Sequence, residues 1–456
     1  DDDDDDDDSA SEEDDGEGDD EVGVERGEEP YVFGPDGQGW KVDDAHTPVV
    51  IDNGKHTIKG GLAWQELPRF ALPSVAAELS ASSTSASGAQ QHGVLIANQF
   101  HSSGVETPQQ VKRISHPLFS EVPHNWSDLE LAWHHLLDQM EVNVSDHPVL
   151  MTVPLQAPSA LTKTIQEIVI ESFGAPAVYV GPSSSLPIHA YANAGLCGDT
   201  AIVVDIGETH ASAVAVAEFE PVPGAFKIGK HLGGAMMTKQ LAEHLRPRRQ
   251  ELLPLAFQRI GSNMTFMRDY LLTWVCQDIK NRLAYACPDK ETYWSIRVEK
   301  NSERKAEVSR QYTVPWGTSS EPVVLGEELL DCGEYLFQPK VMMNDYEDTF
   351  VPIQQLVWDV LGQCPVDYRS QLSNNIVVSG GVTRLPGFVE RLQAELTNSC
   401  PPQFKEQSPK VVAAPWRHYG AWRGGATLTH FDWFQSSWIT RETFAEHGPD
   451  RMVPGT

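Results

Sequence analysis

Apolar positions fall in short unbroken runs, and between the runs lie stretches with helical spacing. Val49-Val50-Ile51 ends in Asp52-Asn53-Gly54, and a second apolar run follows. About 150 residues later, Ile202-Val203-Val204 ends in Asp205-Ile206-Gly207, again with an apolar run behind it. A short continuous apolar run closed by Asp-x-Gly reads as a buried strand entering a tight turn, so each copy predicts a strand–turn–strand hairpin. Residues 148–153 and 177–180 predict two more buried strands. Residues 126–137 carry helical spacing, with Trp126, Leu129, Ala132, Trp133 and Leu136 inward. Ser127 is the expected N-cap there and Glu130 completes a capping box. Residues 159–172, 239–245 and 271–286 predict further helices. Residues 374–392 predict a strand, a turn and a helix opening near Pro386, and a final helical region follows Trp422-Arg423-Gly424-Gly425. Strands alternating with helices predict an α/β fold with a mostly parallel sheet.

The chain has 456 residues, 40% of them apolar, which is enough for two or three domains with real cores. No apolar run reaches about 18 residues, so no membrane span is expected, and the N-terminus shows no basic-then-apolar signal pattern. The six cysteines are scattered without a C-x-x-C pair. They read as reduced thiols of a cytosolic or nuclear protein, not as a disulfide framework or zinc site. The net charge of −31 is uneven: residues 1–30 carry −18 of it, leaving −13 elsewhere. Such a tail repels itself and is expected to be disordered. It is a solvated segment or a docking arm for basic partners such as histones, with Ser11 a candidate phosphorylation site. So acidic a chain is not expected to bind nucleic acid.

The two hairpins carry the chemistry. Asp at a strand's carboxyl end stands where ligands sit in α/β folds. The glycine lets the backbone turn tightly, with its N–H groups toward phosphate oxygens. Mg²⁺ keeps several waters and needs only one or two carboxylates, a role that suits Asp52 and Asp205. A lone hairpin of this kind more often just caps its turn; two of them, followed by a third motif, point to a nucleotide clamp. That third motif runs Ile376-Val377-Val378-Ser379-Gly380-Gly381, where two glycines leave room for a flat base and ribose against the backbone.

In this order the segments resemble the actin family. The likeness extends through Lys59-Gly60-Gly61, Pro68-Arg69, Trp133-His134-His135, Asp278-Ile279-Lys280, Leu336-Phe337-Gln338-Pro339 and Trp438-Ile439-Thr440-Arg441. The resemblance implies two RNase-H-like α/β domains around an ATP cleft. The implied layout is an acidic tail over 1–44 and a first domain over 45–190 plus 419–456, with a flexible Ser-rich loop over 79–103. A second domain spans 191–418, with irregular insertions near 246–268 and 289–312. ATP or ADP with Mg²⁺ is the implied ligand. Asp52 and Asp205 hold the metal through water; Asn53, Gly54, Lys55, Lys59, Gly207 and Glu208 surround the phosphates; Lys280, Asn281, Gly380, Gly381, His418 and Tyr419 border adenosine.

Departures from the family pattern bear on activity. Lys55-His56 replaces a Ser-Gly pair, and Glu208-Thr209 replaces Asp-Gly, bringing a carboxylate near phosphates. Ser183 stands where the family has its water-orienting glutamine, and Ser212 where it has a helper histidine. A serine is too short for the glutamine's task, so weak or no hydrolysis is expected. The segment after Pro339 is acidic where filaments want an apolar contact. The expectation is a divergent actin-related protein, a fixed subunit beside other protein subunits, with actin itself a candidate partner. A chromatin remodeller is the first reading; a cytoskeletal complex of the dynactin or branching type, or a slow actin-like ATPase, is the alternative.

Overall fold

The computed structural model describes residues 32–33, 39–40, 47–79, 94–96, 111–118, 123, 125–253, 265–298, 306–315, 321–339 and 350–450. The predicted hairpins form as expected. Strand β1 (Val49–Asn53) pairs antiparallel with β2 (Thr57–Leu62) and sets Asp52 opposite Lys59. Helix α1 (Trp126–Met140) leads to β3 (Val149–Val153), which lies parallel to β1, and β4 (Ala177–Pro182) lies parallel to β3. Strands Phe70–Pro73 and Ile439–Thr440 complete this six-stranded sheet at its two edges. Helix α2 (Pro187–Asn193) then carries the chain to the second sheet.

There the pattern repeats. Strand β5 (Ala201–Ile206) pairs antiparallel with β6 (His210–Ala217). After helices α3 (Gly234–Leu245) and α4 (Thr265–Leu283), strand β7 (Ile376–Ser379) returns parallel to β5. Glu220–Lys230 and Val411–Val412 close the five-stranded sheet. Each domain thus centres on one strand that is antiparallel to its hairpin mate and parallel to a later strand. Two α/β domains with this shared plan are the duplicated fold expected, but the sheets are mixed and not mostly parallel: each hairpin brings its own antiparallel strands, giving four parallel and five antiparallel pairings. Helix α5 (Phe388–Asn398) covers the second sheet, and α6 (Gly420–Leu428) returns to the first domain.

Burial explains why the strands read as unbroken apolar runs. Val49 and Ile51 pack with Trp133, Leu136 and Met151 on one face of the first sheet, while Val50 and Leu150 pack with Leu186 and Trp422 on the other. A sheet covered on both faces needs apolar residues at every position. Trp422 Nε1 also donates to Val50 O at 2.9 Å, fixing α6 to the central strand. Tyr191 on α2 donates to Val378 O at 2.6 Å and accepts from Ala414 N–H at 2.9 Å, so α2 is bonded to the second sheet while α6 of the first domain leans on it.

That lean depends on one glycine. A Cβ at Gly424 would sit 1.9 Å from Leu186 O, a backbone atom that cannot swing aside. Gly424→Ala is therefore expected to destabilise the fold by about 3 kcal/mol or more, read as a lowered urea midpoint.

Several expectations need correction. The N-cap of α1 is Asn125, not Ser127: its side chain accepts from Asp128 N–H at 3.2 Å. Asp128 in turn is held by Arg113 and Ser115. The stretches 246–268 and 289–312 are not simply irregular. Arg246–Leu252 is helical, Lys290–Val298 is a helix capped by Asp289 Oδ1 on Thr292 N–H, and Arg310–Tyr312 pairs with Val323–Leu325. The helix expected near Pro386 starts at Phe388, because Gly387 adopts φ +78° and the Pro386 carbonyl accepts from Ala286. The Trp422–Gly425 run lies inside α6 and does not precede it. Within the stretch expected to be a loop over 79–103, Val94–Ile96 forms a strand against Ala76–Leu79. Ahead of residue 45, Val32–Phe33 pairs with Gly39–Trp40. The rest of the acidic tail, Ser11 and the segment after Pro339 lie outside the described residues. Among the described residues no helix is long and apolar enough to cross a membrane.

Candidate functional site in the cleft

The carboxyl end of β1 is organised around Asp52. Its carboxylate is buried, takes the Lys59 ammonium at 2.6 Å on Oδ2 and the Thr152 hydroxyl at 2.8 Å on Oδ1. Register supplies both partners: Lys59 faces Asp52 across the hairpin, and Thr152 comes from the neighbouring β3. Asn53 is also engaged. Its N–H donates to Thr152 Oγ1, its amide to Thr152 O, and its Oδ1 accepts from Trp133 Nε1 at 2.8 Å. In this structure Asn53 therefore anchors the first loop. At Gly54 a Cβ would meet Thr57 O at 2.4 Å, so the turn requires glycine.

The second loop mirrors the first. Asp205 closes β5 with Ser212 opposite it on β6 and Ser379 opposite it on β7. Burial pushes the Asp205 carboxyl up to about 6. The Ser379 hydroxyl opposes that rise, the Asp52 charge adds to it, and the Lys59 charge opposes it. Ser379 Oγ makes no well-formed hydrogen bond, so its help is weak and burial wins. The charges of Asp52 and Lys59, at the end of the first hairpin, thus reach Asp205 at the end of the second.

Gly207 N–H donates to His210 O, while the N–H groups of Gly234 and Ala235 go to Gly207 O and Glu208 O. The Glu208 carboxylate is not isolated: Lys280 Nζ lies 3.8 Å from it and Gln277 Nε2 3.5 Å. Lys280, assigned by resemblance to the adenosine border, is buried and donates to Gly234 O at 2.9 Å. Its ammonium therefore stands beside the second loop. A Cβ at Gly234 would come within 2.5 Å of Glu208 Oε2 and 2.8 Å of Lys280 Nζ, so this pair exists because glycine stands there.

At the third motif Gly380 has φ +93°, and a Cβ would sit 2.3 Å from Ile206 O. Only glycine fits between the second hairpin and the helix that follows. Beside it, a Cβ at Gly381 would meet nothing within 4 Å, so open space borders the backbone as expected for a ligand face. The rings of His418 and Tyr419 lie 3.9 Å apart. Burial brings His418 down to about 4, and the Arg384, Lys59 and Arg417 charges push the same way, so the imidazole is neutral. Its Nδ1 is buried without a partner.

The inner set of Asp52, Lys59 and Asp205 thus comes together, with Ser212 and Ser379 at its second aspartate. Ser183 follows β4 and donates its N–H to Val153 O. Asn281 is exposed on α4. Outside this set a cavity of about 1250 Å³ opens between the domains; it takes in Lys55 and Glu208 of the predicted residues, and Gly380, Gly381, His418 and Tyr419 do not line it. Thr152, Gln277 and Gly234 were missed by sequence reasoning. Thr152 had one available signal, a lone hydroxyl in the otherwise apolar run Val149-Leu150-Met151-Thr152-Val153.

Among the described residues no three His, Cys, Asp or Glu side chains cluster as direct metal ligands. Two facing carboxylates suit a divalent ion that keeps its waters. The open face at Gly381 and the unpartnered His418 Nδ1 suit a polar planar group. The donor set therefore fits a metal-bound nucleotide. A family model described as Actin matches residues 43–454 of the chain. Two α/β domains on one plan, facing aspartates at matching hairpin ends and this near full-length match give a single assignment: the chain belongs to the actin family.

Proposed function

We propose that the cleft binds ATP or ADP with Mg²⁺, and that the chain serves as a structural subunit of a larger complex, a chromatin remodeller, with weak or no hydrolysis. The observation that carries the reading is the placement of Asp52, ion-paired to Lys59 at 2.6 Å, and Asp205 at matching ends of the two duplicated hairpins. The actin family generally binds ATP or ADP with a divalent cation. Bound Mg²⁺ would neutralise phosphate charge between the loops. Asp52 and Asp205 would hold its water shell, Lys59 would balance their charge, and the Gly54 and Gly207 turns would bring backbone close to phosphate oxygens.

The weak-hydrolysis part rests on the serines. Ser212 is buried directly opposite Asp205, and Ser183 stands at the end of β4. Neither side chain has the reach of a glutamine, and phosphoryl transfer depends on positioning the attacking water. The remodeller assignment rests on that weakened site and on the acidic first 30 residues, which suit basic partners such as histones.

Purified protein is expected to release close to one nucleotide per chain on denaturation, measured by ion-exchange chromatography. With Mg-ATP it should show no steady phosphate release above buffer. Affinity purification with mass spectrometry should recover remodeller subunits. Absence of nucleotide at millimolar ligand would sink the binding claim; dynactin or branching subunits in the eluate would sink the remodeller assignment.

A further inference from the structure

The outer cavity touches the phosphate loops at Lys55 and Glu208 but extends beyond them to Lys230 and Lys239. Among the described residues, three lysines, Lys55, Lys230 and Lys239, line its roughly 1250 Å³ together with four histidines, His56 and His116 among them, and Glu208 is the lining carboxylate. Glu208 is already countered by Lys280 at 3.8 Å and by the Gln277 amide. A chain of net charge −31 therefore turns a cationic wall toward this space. Like charges gathered in a walled cleft repel one another and raise the local potential for anions.

The polar groups of this wall come from both domains. Lys230 ends the edge strand Glu220–Lys230, Lys239 rides on α3, and His56 projects from the turn of the first hairpin. Lys230 and Lys239 are exposed, and among the described residues neither makes an ion pair. Glu208, Lys280, His116 and Lys59 are the charged and titratable neighbours of His56. Burial and the nearby cations hold its pKa below the ordinary value, with Glu208 opposing. Its ring is therefore biased toward the neutral, hydrogen-bonding form, and it lines the same cavity as the lysines.

We propose that the outer cleft is a second anion site that takes a small phosphate-class polyanion, held by Lys230 and Lys239 of one domain and His56 of the other. An anion there would join the two lobes across the mouth of the cleft. The site goes beyond the nucleotide reading, because Lys230 and Lys239 lie outside both phosphate loops.

The test is calorimetric titration of inorganic tripolyphosphate into full-length protein saturated with Mg-ADP. Saturable binding is expected. In the Lys230→Gln/Lys239→Gln variant it should weaken at least tenfold, while ADP affinity stays within twofold of the parent. No saturable binding, or an unchanged affinity in the double variant, overturns the proposal. Should the protein fail to hold ADP, the same titration on nucleotide-free chain still reads the outer site. A tenfold loss in the double variant then supports the anion site even though the nucleotide reading has failed.

Discussion

Arg391→Ala is expected to lower stability by about 3–5 kcal/mol, visible as a large drop in the urea midpoint. Arg391 lies on α5 with no exposed surface. Its guanidinium grips Glu334 at 2.6 and 2.8 Å, donates to Glu395 at 2.9 Å and to Cys287 O at 3.2 Å, and lies 4.8 Å from the Phe337 ring centroid. Glu334 is equally buried and also takes the Gln338 amide. Truncating the arginine leaves that carboxylate dehydrated and without its cation, which costs more than the pair contributes while intact. The Arg391→Met/Glu334→Leu double variant removes both charges and should recover most of the loss. A single-variant loss under about 1 kcal/mol would show that the pair is not critical. Nucleotide retention should fall as well in the single variant. Helix α5 anchors the Gly380-Gly381 turn through the 3-10 segment Gly381–Arg384 and the Ala286–Pro386 bond.

How much of this could be read from sequence depended on whether the controlling contact is local. Asp52 and Asp205 were legible because strand, carboxylate and turn glycine are adjacent in the chain, and the fold then placed the two copies face to face. The cap of α1 was misread although it is local. Ser127 and Asn125 are both good caps, and the choice falls on Asn125 because Asp128 is held by Arg113 and Ser115 from another strand. Glu208 looked unfavourable beside phosphates; its partner Lys280 stands on a distant helix and reaches it only because Gly234 leaves the space. Thr152 and Trp133 hold Asn53 from about 80 to 100 residues away. Helix Lys290–Val298 was hidden because most of its surface is polar, yet Tyr293 is buried and donates to Asp331. Contacts of this kind carry no periodic signature.

Asp205→Asn should separate binding from folding, because the two effects have opposite signs. A carboxyl whose pKa rises on folding holds its proton more tightly in the folded chain. Its contribution to stability therefore falls as pH climbs from the unfolded value near 4 to about 6, and above that the full penalty stands. The asparagine keeps the shape without the charge, so nucleotide-free protein at pH 7.5 should be more stable than the parent by about 1–3 kcal/mol. Removing one of two carboxylates from the metal's water shell should weaken Mg-ADP binding about 100-fold, the effect of losing a charged hydrogen-bond acceptor. In the parent, that affinity should decline about tenfold per pH unit once pH drops below about 6, as Asp205 takes up its proton. The variant should lack this step. Calorimetry across pH 5–8 on both proteins measures all three effects. Binding within threefold of the parent at pH 7.5, or a pH step that survives the substitution, would remove Asp205 from the metal site. A loss of stability in place of a gain would show that its burial is compensated by partners other than Ser379 and Lys59.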